Sequence, residues 1–176
     1  MAVLATIGYE GSSLDDFIAT LHMANIRTLI DVRELPISRR PGFAKSALST
    51  ALAEAGVSYI HLKGLGDPKK GRDAARAHDL QTFLRIFRQH LKTAQAQDDL
   101  AEAASLSASG DACLMCYERD PKTCHRTLVA ERIADIISIR IQHLGVKNGL
   151  AAEQRKANRT SPRARQGSTT RGQEAR

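Results

Sequence analysis

The chain has no tryptophan, and its 176 residues include only three tyrosines, four phenylalanines and three cysteines. Three cysteines cannot all pair with one another, and a chain of this length can bury a core without disulfide staples. Reduced thiols and a cytoplasmic, reducing compartment are therefore expected. No run of about 18 or more apolar residues occurs, so no membrane-spanning helix and no membrane partner are expected. The opening MAVLATIGYE is too short and too soon polar to read as a secretory signal. No internal repeat is visible, and Gly8-Tyr9-Glu10-Gly11 lacks the spacing of a dinucleotide fingerprint. Neither a cofactor nor a resident metal is called for.

Charge of one sign is also scarce once the tail is set aside. Residues 147–176 hold eight of the 26 Lys/Arg and two of the 19 Asp/Glu, so this segment carries +6 of the net +7. The body, residues 1–146, is nearly neutral and reads as one α/β domain. The segment 147–176 is polar and free of aromatics, and it is expected to carry no packed structure. Such a tail can hold nucleic acid through phosphate contacts, or simply keep the protein soluble.

What the body does have is alternation. Short apolar runs near 3–7, 28–33, 57–62, 112–117 and 138–144 alternate with segments of helical period, such as Leu14, Phe17, Ile18 and Leu21. A second helix carries Phe43, Leu48 and Leu52. Residues 67–78 read as an exposed loop, and a helical region follows from Leu80 towards Gly110. This order predicts a Rossmann-like, three-layer α/β fold, with a mostly parallel sheet of about five strands and flanking helices. In such sheets ligands bind beyond the carboxyl ends of the strands. The segments there are Gly8–Gly11, Arg33–Arg40, His61–Gly66 and Glu118–Arg126.

The strongest local signal runs from Cys116 to Arg126. A strand ends in a thiol with Glu118 just beyond it, and Asp120-Pro121 opens a helix that carries Cys124, His125 and Arg126. A helix start stabilises thiolates and bound anions through its free N–H groups and dipole. Two half-buried structural cysteines would give the same spacing. Zinc on Cys116, Cys124, His125 and His61 competes, but the spacing is loose for a structural site. Cys113 and Cys116 lie three apart on a strand and face opposite sides, so Cys113 belongs to the core. Asp31, Arg33, Ser38 and Arg39 form a second constellation, either an anion clamp or locally paired charges. Gly8, Tyr9, Glu10 and Gly11 complete the rim, the glycines allowing close backbone approach.

These residues also carry a resemblance. Thr6–Gly11, Asp31–Arg33, Pro36, Ser38-Arg39, Leu65-Gly66 and Leu114–Cys116 with Glu118, Pro121 and Cys124–Arg126 resemble the family catalogued as domain of unknown function 488. The resemblance runs from about Ala5 to Val146 and implies a compact α/β fold without an established reaction. Leu29–Glu34 is also similar to the segment ending an early strand in rhodanese-like sulfurtransferases, which place a catalytic cysteine after a later strand. The loop after Cys116 lacks their glycine-rich cradle.

The residues thus point to a cysteine-dependent transferase or hydrolase acting on a small anionic or nucleotide-like substrate. Cys116 or Cys124 would be the nucleophile, Glu118 the acid/base, His125 a proton carrier, and Arg126, Arg33 and Arg39 the anion clamp. The alternatives are a non-catalytic module that binds nucleic acid through the tail, and rhodanese-like sulfur transfer.

Overall fold

The structure is a computed structural model that describes residues 2–160. In chain order the elements are β1 (Ala2–Gly8), α1 (Leu14–Met23), β2 (Thr28–Asp31), α2 (Lys45–Glu54), β3 (Ser58–His61) and α3 (Lys69–Arg76). They continue with α4 (Leu80–His90), α5 (Ala94–Ser107), β4 (Ala112–Cys116), α6 (His125–Ile136), β5 (Ile139–Leu144) and α7 (Leu150–Thr160). The five strands form one parallel sheet in the order β3-β2-β4-β1-β5, a three-layer α/β fold.

Strand alternation divides the core into two layers. Ala5, Ile7, Leu29, Cys113 and Met115 pack with Phe17 and Leu21 of α1 and Leu48 and Leu52 of α2. Leu4, Ile30, Leu114 and Cys116 face Phe83, Phe87, Leu100, Val129 and Ile133 on the other side. Cys113 and Cys116 therefore lie on opposite faces, Cys113 fully buried. The crossovers after β1 and β2 pass on the first face, and those after β3 and β4 pass on the second. The loops leaving the neighbours β2 and β4 must then diverge, which opens a crevice at their carboxyl ends.

Four local expectations change. Residues 69–76 form α3 rather than an exposed loop: Gly71 and Ala74 are buried, and Arg72 pairs with Glu34. The long helical region from Leu80 is two helices, since Thr93 caps α5 with its side chain. Asp120-Pro121 opens only a short 3-10 turn, Pro121–Thr123, and Cys124 is the N-cap of α6. The segment after 147 was expected to be unpacked, yet α7 docks on α1, with Leu150 and Ala151 buried beside Ala19. Residues 161–176, the rest of that basic segment, lie outside the described residues. Among the described residues no helix is long and apolar enough to cross a membrane.

Asp16 holds α7 in place. Its carboxylate accepts from Gly149 N and Ala151 N at 3.0 Å each, and Asp15 pairs with Arg155. These amide hydrogen bonds hold the Asp16 carboxyl below its usual value. We expect Asp16→Ala to raise hydrogen exchange throughout Leu150–Thr160 while the strand amides stay protected. The docking should likewise weaken below about pH 4, as the carboxylate is protonated. Unchanged exchange in α7 would show that Leu150 and Ala151 hold it without the cap.

Candidate functional site

The crevice between β2 and β4 is a cleft of about 1060 Å³. Cys116 and Glu118 come to it from the end of β4, His125 from the start of α6, and Arg33 to Gly42 from the loop after β2. Tyr9, Ser12 and Ser13 line it after β1, and Asp67, Arg72 and Arg76 after β3.

At its base four groups converge. Cys116 Sγ lies 3.1 Å from Glu118 Oε2 and 3.7 Å from His125 Nδ1. The donor atoms of Cys116, Glu118, Cys124 and His125 all lie within 4.8 Å of one another. Nε2 of His125 hydrogen-bonds the Val32 carbonyl at 2.8 Å, which fixes the ring and aims Nδ1 at the sulfurs. Two thiols, an imidazole and a carboxylate are also a ligand set that suits zinc, with the outer histidine nitrogen already oriented. Glu118 completes that set, and not His61, whose Nε2 bonds the Arg33 carbonyl.

The electrostatics separate the two thiols. Burial works against a charged Cys124, but the Cys116 thiol, His125 and Arg126 outweigh it and hold Cys124 well below the usual thiol value. Cys116 is pushed up, first by its hydrogen bond to Cys124 and then by burial. Burial opposes a charged His125, yet the Cys124 sulfur and the Val32 carbonyl raise it to about 9. The surroundings therefore favour a charged Cys124 beside a charged His125 and hold the proton on Cys116. Burial and the Cys124 charge lift Glu118 to about 7. Burial also lifts Asp67 to about 6, against the pull of His125 and Arg72.

Several residues expected at the site have other work. Arg126 is 1% exposed and lies behind the cleft, where it donates to Thr6 Oγ1 and to the carbonyls of Glu118 and Arg119. It is not an anion clamp, because its donors already serve the chain. Arg33 lines the cleft but forks onto Asp31 and donates to Tyr9 Oη and the Phe43 carbonyl. Asp31 is fully buried and also accepts from Tyr59 Oη, so this second constellation is a structural network. Gly8 admits the chain rather than a ligand: a Cβ there would lie 1.8 Å from the Glu118 carbonyl oxygen. Glu10 accepts from Arg119 N, and Gly11 takes the left-handed φ of 75°. Ser38 and the exposed Arg39 line the cleft. Tyr9 lines it too, stacked on Phe43.

Sequence reasoning missed Ser12, Asp67 and Arg72. Asp67 follows β3 almost directly, so the rule that placed Glu118 could have found it. Ser12 lies one residue past the Gly8–Gly11 segment, just beyond where that rule was applied.

Fold and cleft together define an α/β protein with paired thiols at the carboxyl edge of a parallel sheet. Its sequence matches the family described as Domain of unknown function DUF488 over residues 13–133, and the chain belongs to that family. The match includes Cys116, Glu118, Cys124, His125 and Arg126 but begins after Gly8–Gly11. No curated protein and no solved structure matches the chain.

Glu118 offers a direct check of the electrostatics. Its folded value, about 7, lies above the ordinary 4.5, so the fold favours the protonated form. The cost of ionising it is absent below about pH 4.5, grows as pH rises, and is complete above about pH 7. We expect Glu118→Gln to be more stable than wild type by about 2 kcal/mol at pH 8 and no more stable at pH 4. Denaturant titrations at both values would read this, and equal stability at pH 8 would contradict an apolar setting for Glu118.

Proposed function

We propose that the protein is a thiol-dependent enzyme that transfers a group from a small anionic substrate bound in the cleft, with Cys116 as nucleophile. The observation that carries this reading is that Cys116, Glu118 and His125 meet on the floor of a cleft whose rim bears arginines. Cys124 does not line the cleft. Its role is that of base: as Cys116 Sγ attacks the electrophilic centre, the Cys116 proton passes to the Cys124 thiolate. Glu118, protonated below about pH 7, gives its proton to the departing group as that bond breaks. The transferred group is then on sulfur. Water or an acceptor hydroxyl displaces it and yields its proton to Glu118, and the proton on Cys124 returns to Cys116.

A second reading rests on the four donor atoms within 4.8 Å. A zinc ion held by Cys116, Cys124, His125 and Glu118 would occupy both thiols and leave neither free to attack.

The two readings separate by alkylation and metal content. On the thiol reading, the native protein holds no stoichiometric metal, and iodoacetamide modifies Cys116, the thiol that lines the cleft, at a rate that climbs with pH because Cys124 and burial hold its proton on. Cys124→Ser should move that rise to lower pH, because the neighbouring sulfur that holds the Cys116 proton is lost. One equivalent of zinc, with Cys116 alkylated only after chelation, would replace nucleophilic attack by metal binding. Thiols that resist alkylation in metal-free native protein would overturn both.

A further inference from the structure

The cleft has two further features that the thiol chemistry does not use. Ser12 is 1% exposed and Asp67 6%; both residues line the cleft, and Ser12 Oγ and Asp67 Oδ1 are buried with no hydrogen-bond partner among the described residues. A buried polar atom without a partner costs roughly 1–3 kcal/mol, so each oxygen is free to take up a hydrogen bond from a bound group.

The surroundings of the two differ. Ser12 stands at the amino end of α1, a ten-residue helix whose Ser13 and Leu14 also line the cleft. Arg40 arches over it, with Nε on the Ser12 carbonyl, and Arg39 stands alongside in the rim. Neither arginine makes an ion pair among the described residues, unlike Arg33, Arg72 and Arg76. The acids of the first turn of α1 are turned to α7: Asp16 caps its amides and Asp15 pairs with Arg155. A free hydroxyl, two unpaired guanidinium groups and a helix amino end form an anion site of phosphate type. At the other end Asp67 is an acceptor. Its Oδ1 packs over Gly71, where a Cβ would lie 1.9 Å away, and Arg72 donates to its carbonyl and pairs with Glu34. That end suits a ligand O–H or N–H group.

We infer that the substrate is a phosphate ester whose phosphate sits on Ser12, Arg39 and Arg40 and whose remainder donates hydrogen bonds to Asp67. This rests on the reading of the cleft as a substrate site and names its substrate class. The reacting bond then lies between the two ends, beside Cys116 and Glu118.

The test is calorimetric titration of the whole protein with inorganic phosphate and with ribose 5-phosphate, on wild type and on Cys116→Ser. Both ligands should bind, and Ser12→Ala or Arg39→Ala should weaken each at least tenfold. Asp67→Asn should leave inorganic phosphate unchanged and weaken the sugar phosphate about tenfold. Circular dichroism would confirm that each variant is folded. Failure of phosphate to bind, or full binding by Ser12→Ala and Arg39→Ala, would overturn the phosphate site. An Asp67→Asn variant that binds the sugar phosphate as wild type does, or loses both ligands equally, would overturn the donor end. Because Cys116→Ser binds without reacting, the titration is read independently of the thiol chemistry. Binding with an inert Cys116 would sink the nucleophile and keep the site.

Discussion

Among the described residues Arg126 is the largest fully buried side chain, and it has no carboxylate for a partner there. Its guanidinium joins three pieces of chain: Thr6 of β1, the Glu118–Arg119 turn after β4, and its own helix α6. Where Glu118 stands relative to Cys116 depends on that turn being held, and Gly8 is bare so that it can be. A buried cation without a counter-charge costs several kcal/mol. Part of that cost is offset at Cys124, whose charged form His125 and, more weakly, Arg126 favour. The residue read as a clamp for an outside anion thus supports an internal one.

The Asp31–Arg33 network is the counterpart on β2. Asp31 and Arg33 are both buried, and the fork between them is closed by Tyr59 and Tyr9. Arg33 NH1 also reaches the Phe43 carbonyl, which anchors the far end of the 33–43 loop against the sheet. That loop forms one wall of the cleft. Buried ion pairs of this kind add little net stability, but they fix geometry, because any other arrangement strands a charge. With one wall tied by Arg33 and the other by Arg126, the cleft is largely preformed.

How much of this the sequence carried depends on where the information is local. The strands were legible because parallel strands buried on both faces read as apolar runs, and the sheet-edge rule then brought Cys116 and Glu118 together. Helix α3 was not legible. KKGRDAAR has almost no apolar stripe, and what holds it is distant: Glu34 on another loop, and Gly71 packed under Asp67. Helix α7 is similar, since its apolar contact is Leu150 and Ala151 and its cap is Asp16, far back in the chain. Both misreadings concealed function or support, Asp67 most of all. Whether Arg33 and Arg126 face a ligand or the chain itself was likewise undecidable from spacing, because the spacing is the same in either case.

The charge balance of the cleft floor bears on how an anion would be received. The surroundings favour a charged His125 and a charged Cys124, hold the proton on Cys116, and push Glu118 and Asp67 towards their protonated forms. With the carboxylate of Asp67 set against His125 the floor carries no net positive charge, and the cations are Arg39 and Arg40 at the rim. An anion entering such a site disfavours the ionised form of Glu118 and so raises its proton affinity further. Binding therefore increases the fraction of protein in which Glu118 is an acid, the form that the proposed reading requires. The same negative charge opposes a second thiolate and so helps hold the proton on Cys116. An incoming anion thus favours the protonated form of both groups, which is the starting state of the proposed reading, and the coupling needs no moving part.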